Sequence, residues 1–206
     1  GGVFQDAPAE FWPALGKIVD ELPAFIDELE GLISKNEIVL SRTQGVSVIS
    51  GRDAVNASIT GPVLRASGVS WDLRKAAPYD VYDRVSFNVP LGDQGDNYDR
   101  YIIRIRESVK IIEQCVKQIE PGPVRATSAM LFRPPVGESY VPIEAPKGEL
   151  GFYLVSDGSI APYRMHVRAP SLINLTLLKQ MLVGWKLSDA IVSFGSIDVN
   201  MGEVDR

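Results

Sequence analysis

The run from Ala190 to Ile197 is largely apolar, and D-V-N-M-G-E-V-D-R, Asp198 to Arg206, follows it directly. This junction constrains the fold more than any other stretch. Ser188 reads as the N-cap of a short apolar helix, Asp189 to Phe194, ended by Gly195. Such a helix needs burial, so the residues after it are expected to be carried inward. A buried tail holding Asp198, Glu203, Asp205 and Arg206 must pair its charges with one another or with a partner. The plain alternative is a frayed, solvated terminus.

With 206 residues, 45% hydrophobic and 23% charged, the chain suits one globular domain or two small ones with a real core. A net charge of -5 offers no general attraction to nucleic acid or an anionic membrane. The single cysteine, Cys115, excludes an internal disulfide framework and any thiolate zinc or iron–sulfur site built by this chain alone. It fits a reducing compartment. No stretch of 18 apolar residues and no signal peptide is present, so no bilayer span is expected. The Gly-Gly start without methionine suggests a piece of a longer protein.

Phe11, Trp12, Leu15, Ile18, Val19 and Leu22 recur at helical spacing, and Phe25, Ile26, Leu29 and Leu32 continue the pattern past Pro23. Proline there predicts either two helices or one bent one. Val46 to Ile49 reads as a short strand, and Ser50 with Asp53 as the cap of a one-turn helix ending near Ser58. T-G-P-V-L-R-A-S-G, Thr60 to Gly68, then W-D-L-R-K, Trp71 to Lys75, mark irregular backbone. Arg65, Asp72, Arg74 and Lys75 make it either a loop clamped by internal ion pairs or one facing a partner or cavity. Val85, Phe87 and Val89 alternate as a strand would.

The longest single helix is expected next, on the stripe Tyr98, Tyr101, Ile102, Ile105, Val109, Ile112, Val116 and Ile119, with Asp96 or Asn97 as cap. Cys115 beside it reads as a small core residue. Tyr140 to Ala145 precedes a hairpin whose strands are Leu150–Val155 and Tyr163–Val167. His166, the only histidine, sits on the second strand as a surface or satisfied core residue. A helix is expected from about Ser171 to Val183, ended by Gly184. The residues alone describe an α-rich α+β domain without a nucleophile–histidine pair, metal constellation or nucleotide fingerprint.

Four ordered motifs add a resemblance: T-G-P-V-L-R-A-S-G, then W-D-L-R-K with P-Y-D-V-Y-D, then E-A-P-K-G-E-L-G (Glu144 to Gly151), then terminal M-G-E-V-D-R. Together they resemble the hydrogenase-like large subunit (the D subunit) of respiratory complex I, NADH-quinone oxidoreductase. The resemblance covers essentially the whole chain and implies a single domain, residues 1–206, equivalent to the C-terminal half of that large subunit. It implies an α+β, α-rich fold with a nickel–iron hydrogenase large-subunit-like helical core and a small antiparallel β hairpin or sheet. The histidine and tyrosine that engage the quinone headgroup in the family lie in the half not matched here.

Hydrogenases of the same fold family bind their metal with two C-x-x-C pairs, the second inside a terminal D-P-C-x-x-C-x-x-H/R. Aligned on that terminus, Asp198 falls on the aspartate, Val199 on the proline, Asn200 and Glu203 on the two cysteines and Arg206 on the last position. Nickel at such a centre needs soft thiolates, which an amide and a carboxylate do not replace. Lys147 falls on the arginine of the hydrogenase E-A-P-R-G. The resemblance therefore implies a polar pocket retained without its metal.

As implied by the family, the chain would be a subunit of a proton-translocating quinone oxidoreductase fed by NADH, a reduced deazaflavin or ferredoxin. It would form part of the quinone-reduction chamber beside the terminal iron–sulfur cluster of a partner subunit, and would be inactive alone. Lys147, Asp198, Asn200, Glu203 and Arg206 are the quinone-chamber candidates, with no residue assigned a catalytic, metal-binding or cofactor-binding role. Quinone is the substrate, and the chain binds no cofactor itself. Its partners would be the small iron–sulfur subunit, other peripheral-arm subunits and membrane subunits, with no nucleic acid. Its place would be the cytoplasmic side of the inner or cell membrane, peripherally attached. A membrane-bound hydrogenase-type subunit and a purely structural module of such a complex are the alternatives.

Overall fold

The computed structural model describes residues 2–107, 109–120, 122–127 and 131–205. Helix α1 (Phe11–Ile33) runs through Pro23, so one continuous helix is realised rather than two. Its neighbour is α7 (Val109–Gln118), yet Ile18, Phe25 and Leu32 stay exposed and Val19 is its buried residue. Helix α2 (Glu37–Thr43) has no counterpart in the sequence reading, although Asn36 caps it through the N–H of Ile38.

The strand expected at Val46–Ile49 does not form. The Ile49 N–H donates to the Gly95 carbonyl at 2.9 Å and the Asn97 N–H to the Val46 carbonyl at 3.1 Å, tying the segment to the entrance of α6 (Asn97–Arg106). Helix α3 (Gly51–Asn56) matches expectation, with Ser50 Oγ accepting from the Asp53 N–H. The segment Thr60 to Gly68, expected to be irregular, instead contains α4 (Gly61–Ala66), buried throughout. Pro62 lies in the first turn, where a missing N–H leaves no helical bond unmade, so the proline starts the helix rather than breaking it. Helix α5 (Leu73–Ala76) is capped by Asp72.

Val85 and Phe87 alternate inward with Ser86 outward, but among the described residues no strand pairs with them. The Gln114 side chain substitutes for one: the Ser86 N–H donates to its Oε1 at 2.9 Å and its Nε2 donates to the Ser86 carbonyl at 2.6 Å. The long helix expected from Tyr98 to Ile119 is two, α6 and α7, and α1 is longer than either. The backbone turns extended at Glu107, where its carboxylate joins Arg65. Asp96 is the cap of α6.

Strands β1 (Gly137–Ala145), β2 (Gly148–Ser156) and β3 (Arg164–Arg168) form an antiparallel sheet in that order. The expected hairpin is β2–β3, and the stretch before it is itself β1. The register puts Val141, Ile143, Phe152, Leu154 and Met165 on one face, where all are at least partly open to solvent. Glu144, Glu149 and Arg168 lie on the other, which meets the body of the domain. The sheet is thus inverted, with its polar face inward.

The helix expected over Ser171–Val183 is segmented into α8 (Pro170–Asn174), a 3-10 turn (Leu175–Leu177) and α9 (Leu178–Leu182). Helix α10 (Leu187–Ile197) starts before Ser188 and continues through Gly195. Ser188 does not cap it; its hydroxyl accepts from Arg42. Nor is α10 buried all round: Ser193 and Ile197 face inward, while Leu187, Ile191 and Phe194 form an outer stripe. Helix α11 (Met201–Val204) ends the described chain. Ile49, Val63, Leu64, Leu177, Met181 and Ile197 form the main core, so α4 is clamped against α9 and α10.

The clamped-loop expectation holds for the charges around α4. Arg65, 1% exposed, pairs with Glu144 at 2.8 Å, Asp72 at 3.5 Å and also Glu107. Arg74 pairs with Asp72 and lies 4.9 Å from the Phe87 ring centre. Burial pushes Asp72 up, but the hydrogen bond and charge of Arg74, with the charge of Arg65, hold its carboxyl below the ordinary value. Burial raises Glu144 and outweighs Arg65. A raised carboxyl contributes stability that is full below its unfolded value and lost as pH rises through its folded value. Replacing it with a neutral amide removes that loss. Urea titrations from about pH 4.5 to 7 are expected to give a stability–pH slope more positive in Glu144→Gln than in the unsubstituted chain.

Candidate functional site

Lys147 occupies the two-residue turn between β1 and β2. Three contacts fix that turn. The Glu149 N–H donates to Thr60 Oγ1 at 2.9 Å, and Asn174 Nδ2 donates to the Lys147 carbonyl at 3.2 Å. Gly61 and Gly148 also meet backbone to backbone, so closely that a Cβ on Gly61 would lie 2.4 Å from the Gly148 Cα. The turn is therefore bolted to α4 and α8, and it presents the lysine ammonium to Asp198, with which it forms an ion pair.

Asp198, not Gly195, ends α10, in the left-handed conformation with φ 60° and ψ 56°. Aspartate is among the few residues with a side chain that adopt this geometry routinely. The last turn of α10 leaves carbonyls without helical partners. Arg104 of α6 takes two of them, donating from Nη1 to Ser196 O at 2.7 Å and from Nη2 to Ile197 O at 2.9 Å. Its Nε lies 3.6 Å from Asp198 Oδ2. One turn earlier, Arg100 donates from Nε to Ser196 Oγ at 2.9 Å and from its other nitrogens to Gly95 O, Ser47 O and Asn97 Oδ1. Burial lowers both guanidinium groups: Arg100 to about 10 despite the charge of Asp96, and Arg104 despite that of Asp198.

The Lys147 and Asp198 side chains are 21% and 44% exposed, so their pairing adds little stability, of the order of 1 kcal/mol or less. What the arrangement provides is a cation–carboxylate pair at a fixed place. Asp198 and Arg104 stand in the wall of a cavity of about 530 Å³ between α2, α6 and α10, whose other lining includes Val39, Tyr101, Ile105 and Val192. The cavity is mainly apolar with charge at one side.

Of the sequence candidates, Lys147 and Asp198 come together. Asn200 and Glu203 do not join them. Beyond Asp198 the tail turns to α8: the Asn200 N–H donates to Ser171 Oγ at 3.1 Å, and the Ser171 N–H donates to Glu203 Oε2 at 3.1 Å. The Asn200 side chain caps α11 through the Gly202 N–H. The expected buried tail is corrected accordingly. Asn200, Met201 and Asp205 are exposed and Glu203 is half-buried, because the tail is anchored by hydrogen bonds between backbone N–H groups and side-chain oxygens rather than by enclosure. Arg206 lies outside the described residues.

Arg104 is the functional candidate that sequence reading missed. Its signal was a pair of arginines four apart, Arg100 and Arg104, set between the apolar residues of a helix. At the two positions aligned with hydrogenase cysteines, Asn200 and Glu203 are engaged in capping N–H groups, and neither offers the soft sulfur that nickel requires. Among the described residues no cluster of three or more His, Cys, Asp or Glu is placed to hold a metal ion. Nor is any described helix long and apolar enough to cross a membrane.

Comparison with known proteins places this chain in a family. Residues 1–132 and 127–206 match the profile described as respiratory-chain NADH dehydrogenase, 49 Kd subunit. The chain is 57% identical over 209 residues to the NADH-quinone oxidoreductase D subunit of Dehalococcoides mccartyi, covering 100% of the chain and 57% of the relative. The same-named proteins of Desulforamulus reducens and Carboxydothermus hydrogenoformans are 51% and 50% identical over 208 residues, again with 57% of each relative covered. The chain thus spans 57% of the length of these curated relatives.

Proposed function

The chain belongs to the family of the 49 Kd subunit of respiratory-chain NADH dehydrogenase, and from that premise we propose that it serves as a subunit of an NADH–quinone oxidoreductase and forms part of the wall of the quinone-reduction chamber. The observation that carries the reading is Asp198, ion-paired to Lys147, standing with Arg104 in the wall of a mainly apolar cavity. An apolar tail needs apolar walls, and a headgroup reduced by two electrons must take up two protons to become the quinol. Lys147 and Asp198 supply a cation and a carboxylate, held as a pair, to steady charge on the headgroup during that change. Asn200 and Glu203 back them by fixing the tail against α8, and Arg206 is proposed as an ion-pair partner at its end.

The donor of electrons in this reading is the terminal iron–sulfur cluster of a small partner subunit. The chain itself holds no cofactor. Other peripheral-arm subunits and the membrane subunits complete the assembly, which lies on the cytoplasmic face of the membrane and couples turnover to proton translocation. Within it the chain acts as a single domain with the helical core of hydrogenase large subunits.

The test is made in assembled complexes carrying Lys147→Met or Glu203→Gln. Lys147→Met is expected to lower quinone reduction about tenfold or more, the size of effect that follows loss of one preorganised charge. Glu203→Gln is expected to act more weakly, since Gln keeps an oxygen for the Ser171 N–H. Electron transfer to an artificial acceptor upstream of quinone should be unchanged in both. Wild-type quinone reduction by Lys147→Met in intact complexes would leave the chain a structural module without chemistry of its own.

A further inference from the structure

The C-terminal end of α10 is gripped from outside in a way that its own sequence does not require. An exposed helix end satisfies its carbonyls with water. Here Arg104 reaches across from α6, contributing its two terminal nitrogens to Ser196 O and Ile197 O, the two carbonyls immediately before Asp198. A guanidinium is planar, so fixing both Nη atoms also fixes the direction of Nε, which stands 3.6 Å from Asp198 Oδ2. Arg104 Nη1 is further held by the Arg100 carbonyl at 2.8 Å, and Arg100 secures the adjacent Ser196 hydroxyl. One rigid group thus defines both where the Asp198 backbone begins and which cation its carboxylate meets on the helical side. Lys147 meets the same oxygen, Oδ2, from the hairpin side.

We infer that Arg104 is a positioning residue for the quinone-chamber site, aiming the Asp198 carboxylate at Lys147 through its hold on the two preceding carbonyls. The inference rests on the chamber reading proposed above. Arg104 touches no reacting atom in this scheme. Without it the left-handed turn at Asp198 loses its anchor, and Lys147 is left as the carboxylate's one ion-pair partner among the described residues. Lysine at this position would keep the charge but lose the fork, because a single ammonium cannot hold two carbonyls and a carboxylate in one plane.

The deciding experiment is a double-mutant cycle in the assembled complex, with a short-chain ubiquinone as substrate and an upstream artificial acceptor as the control for assembly. Arg104→Gln and Asp198→Asn are each expected to lower kcat about tenfold, consistent with a site displaced by roughly an ångström. The double variant should turn over within about twofold of Asp198→Asn alone, since residues acting as a unit are not additive. Arg104→Lys should fall between Arg104→Gln and the unsubstituted complex.

Losses that multiply in the double variant would overturn the inference, as would wild-type turnover by Arg104→Gln. Failure of both Arg104 variants to assemble would also overturn it, making the residue structural only. Wild-type turnover by Asp198→Asn would remove the chamber reading itself. A slow Asp198→Asn beside a normal Arg104→Gln would remove Arg104 alone.

Discussion

Arg65→Met is expected to lower the unfolding free energy of the chain by about 3–5 kcal/mol, the range for removing one partner of a buried ion pair. Arg65 is 1% exposed and answers Asp72, Glu107 and Glu144, whose side chains are 0%, 19% and 4% exposed. Methionine fills much of the same volume, so the loss measures charge rather than a cavity. Its removal leaves three carboxylates with Arg74 as the remaining ion-pair partner among the described residues, and Arg74 is at hydrogen-bonding distance from Asp72. The contrast with Glu144→Gln is informative, since that change removes one charge from the side in excess. Urea unfolding of both variants checks the asymmetry. A Glu144→Gln as unstable as Arg65→Met would mean that the cluster is held by its hydrogen-bond geometry rather than by its charge balance.

Gly61→Ala should cost about 2–4 kcal/mol, combining a left-handed backbone at a residue with a side chain and contact with a neighbour that cannot rotate away. Gly61 has φ 71°, and the added Cβ would lie 2.4 Å from the Gly148 Cα and 2.7 Å from its N. Both are backbone atoms, so relief requires the whole hairpin turn to shift. That shift separates Lys147 from Asp198. The variant is therefore expected to lose stability in urea unfolding and to slow quinone reduction in assembled complexes that it still enters. Wild-type stability would show that the α4–hairpin contact yields freely.

Several elements were legible in the sequence for definite reasons. The S-x-x-D signal at Ser50 specified α3, and alternation specified the β2–β3 pair. The motif resemblance named the family, and it picked out Lys147 and Asp198, which meet although 51 residues apart. Other readings failed where a tertiary contact overrode a local cue. Glycine and proline at Gly61 and Pro62 looked like breakers, yet they begin a buried helix. Gly195 looked like a stop, but the stop is Asp198, whose left-handed turn is secured by an arginine from a distant helix. The apolar stripe through α6 and α7 could not reveal that Glu107 leaves the helix to reach Arg65. Burial of the tail was overestimated because α10 turns the apolar stripe Leu187, Ile191 and Phe194 to solvent and Asp189, Ser193 and Ile197 inward.

The inverted sheet has a kinetic consequence. Its β1–β2 hairpin closes through a two-residue turn, a local event on the microsecond scale. Its attachment is different. Arg65–Glu144 joins residues 79 apart, Thr60–Glu149 joins residues 89 apart, and each needs a polar partner in the right place. Unspecific collapse drives apolar faces together, and this sheet turns its apolar face outward. The hairpin is thus expected to form early and dock late, after the helices have built the surface that receives it. Changes at the docking contacts would then show themselves as faster unfolding, with the rate of folding left nearly as it was.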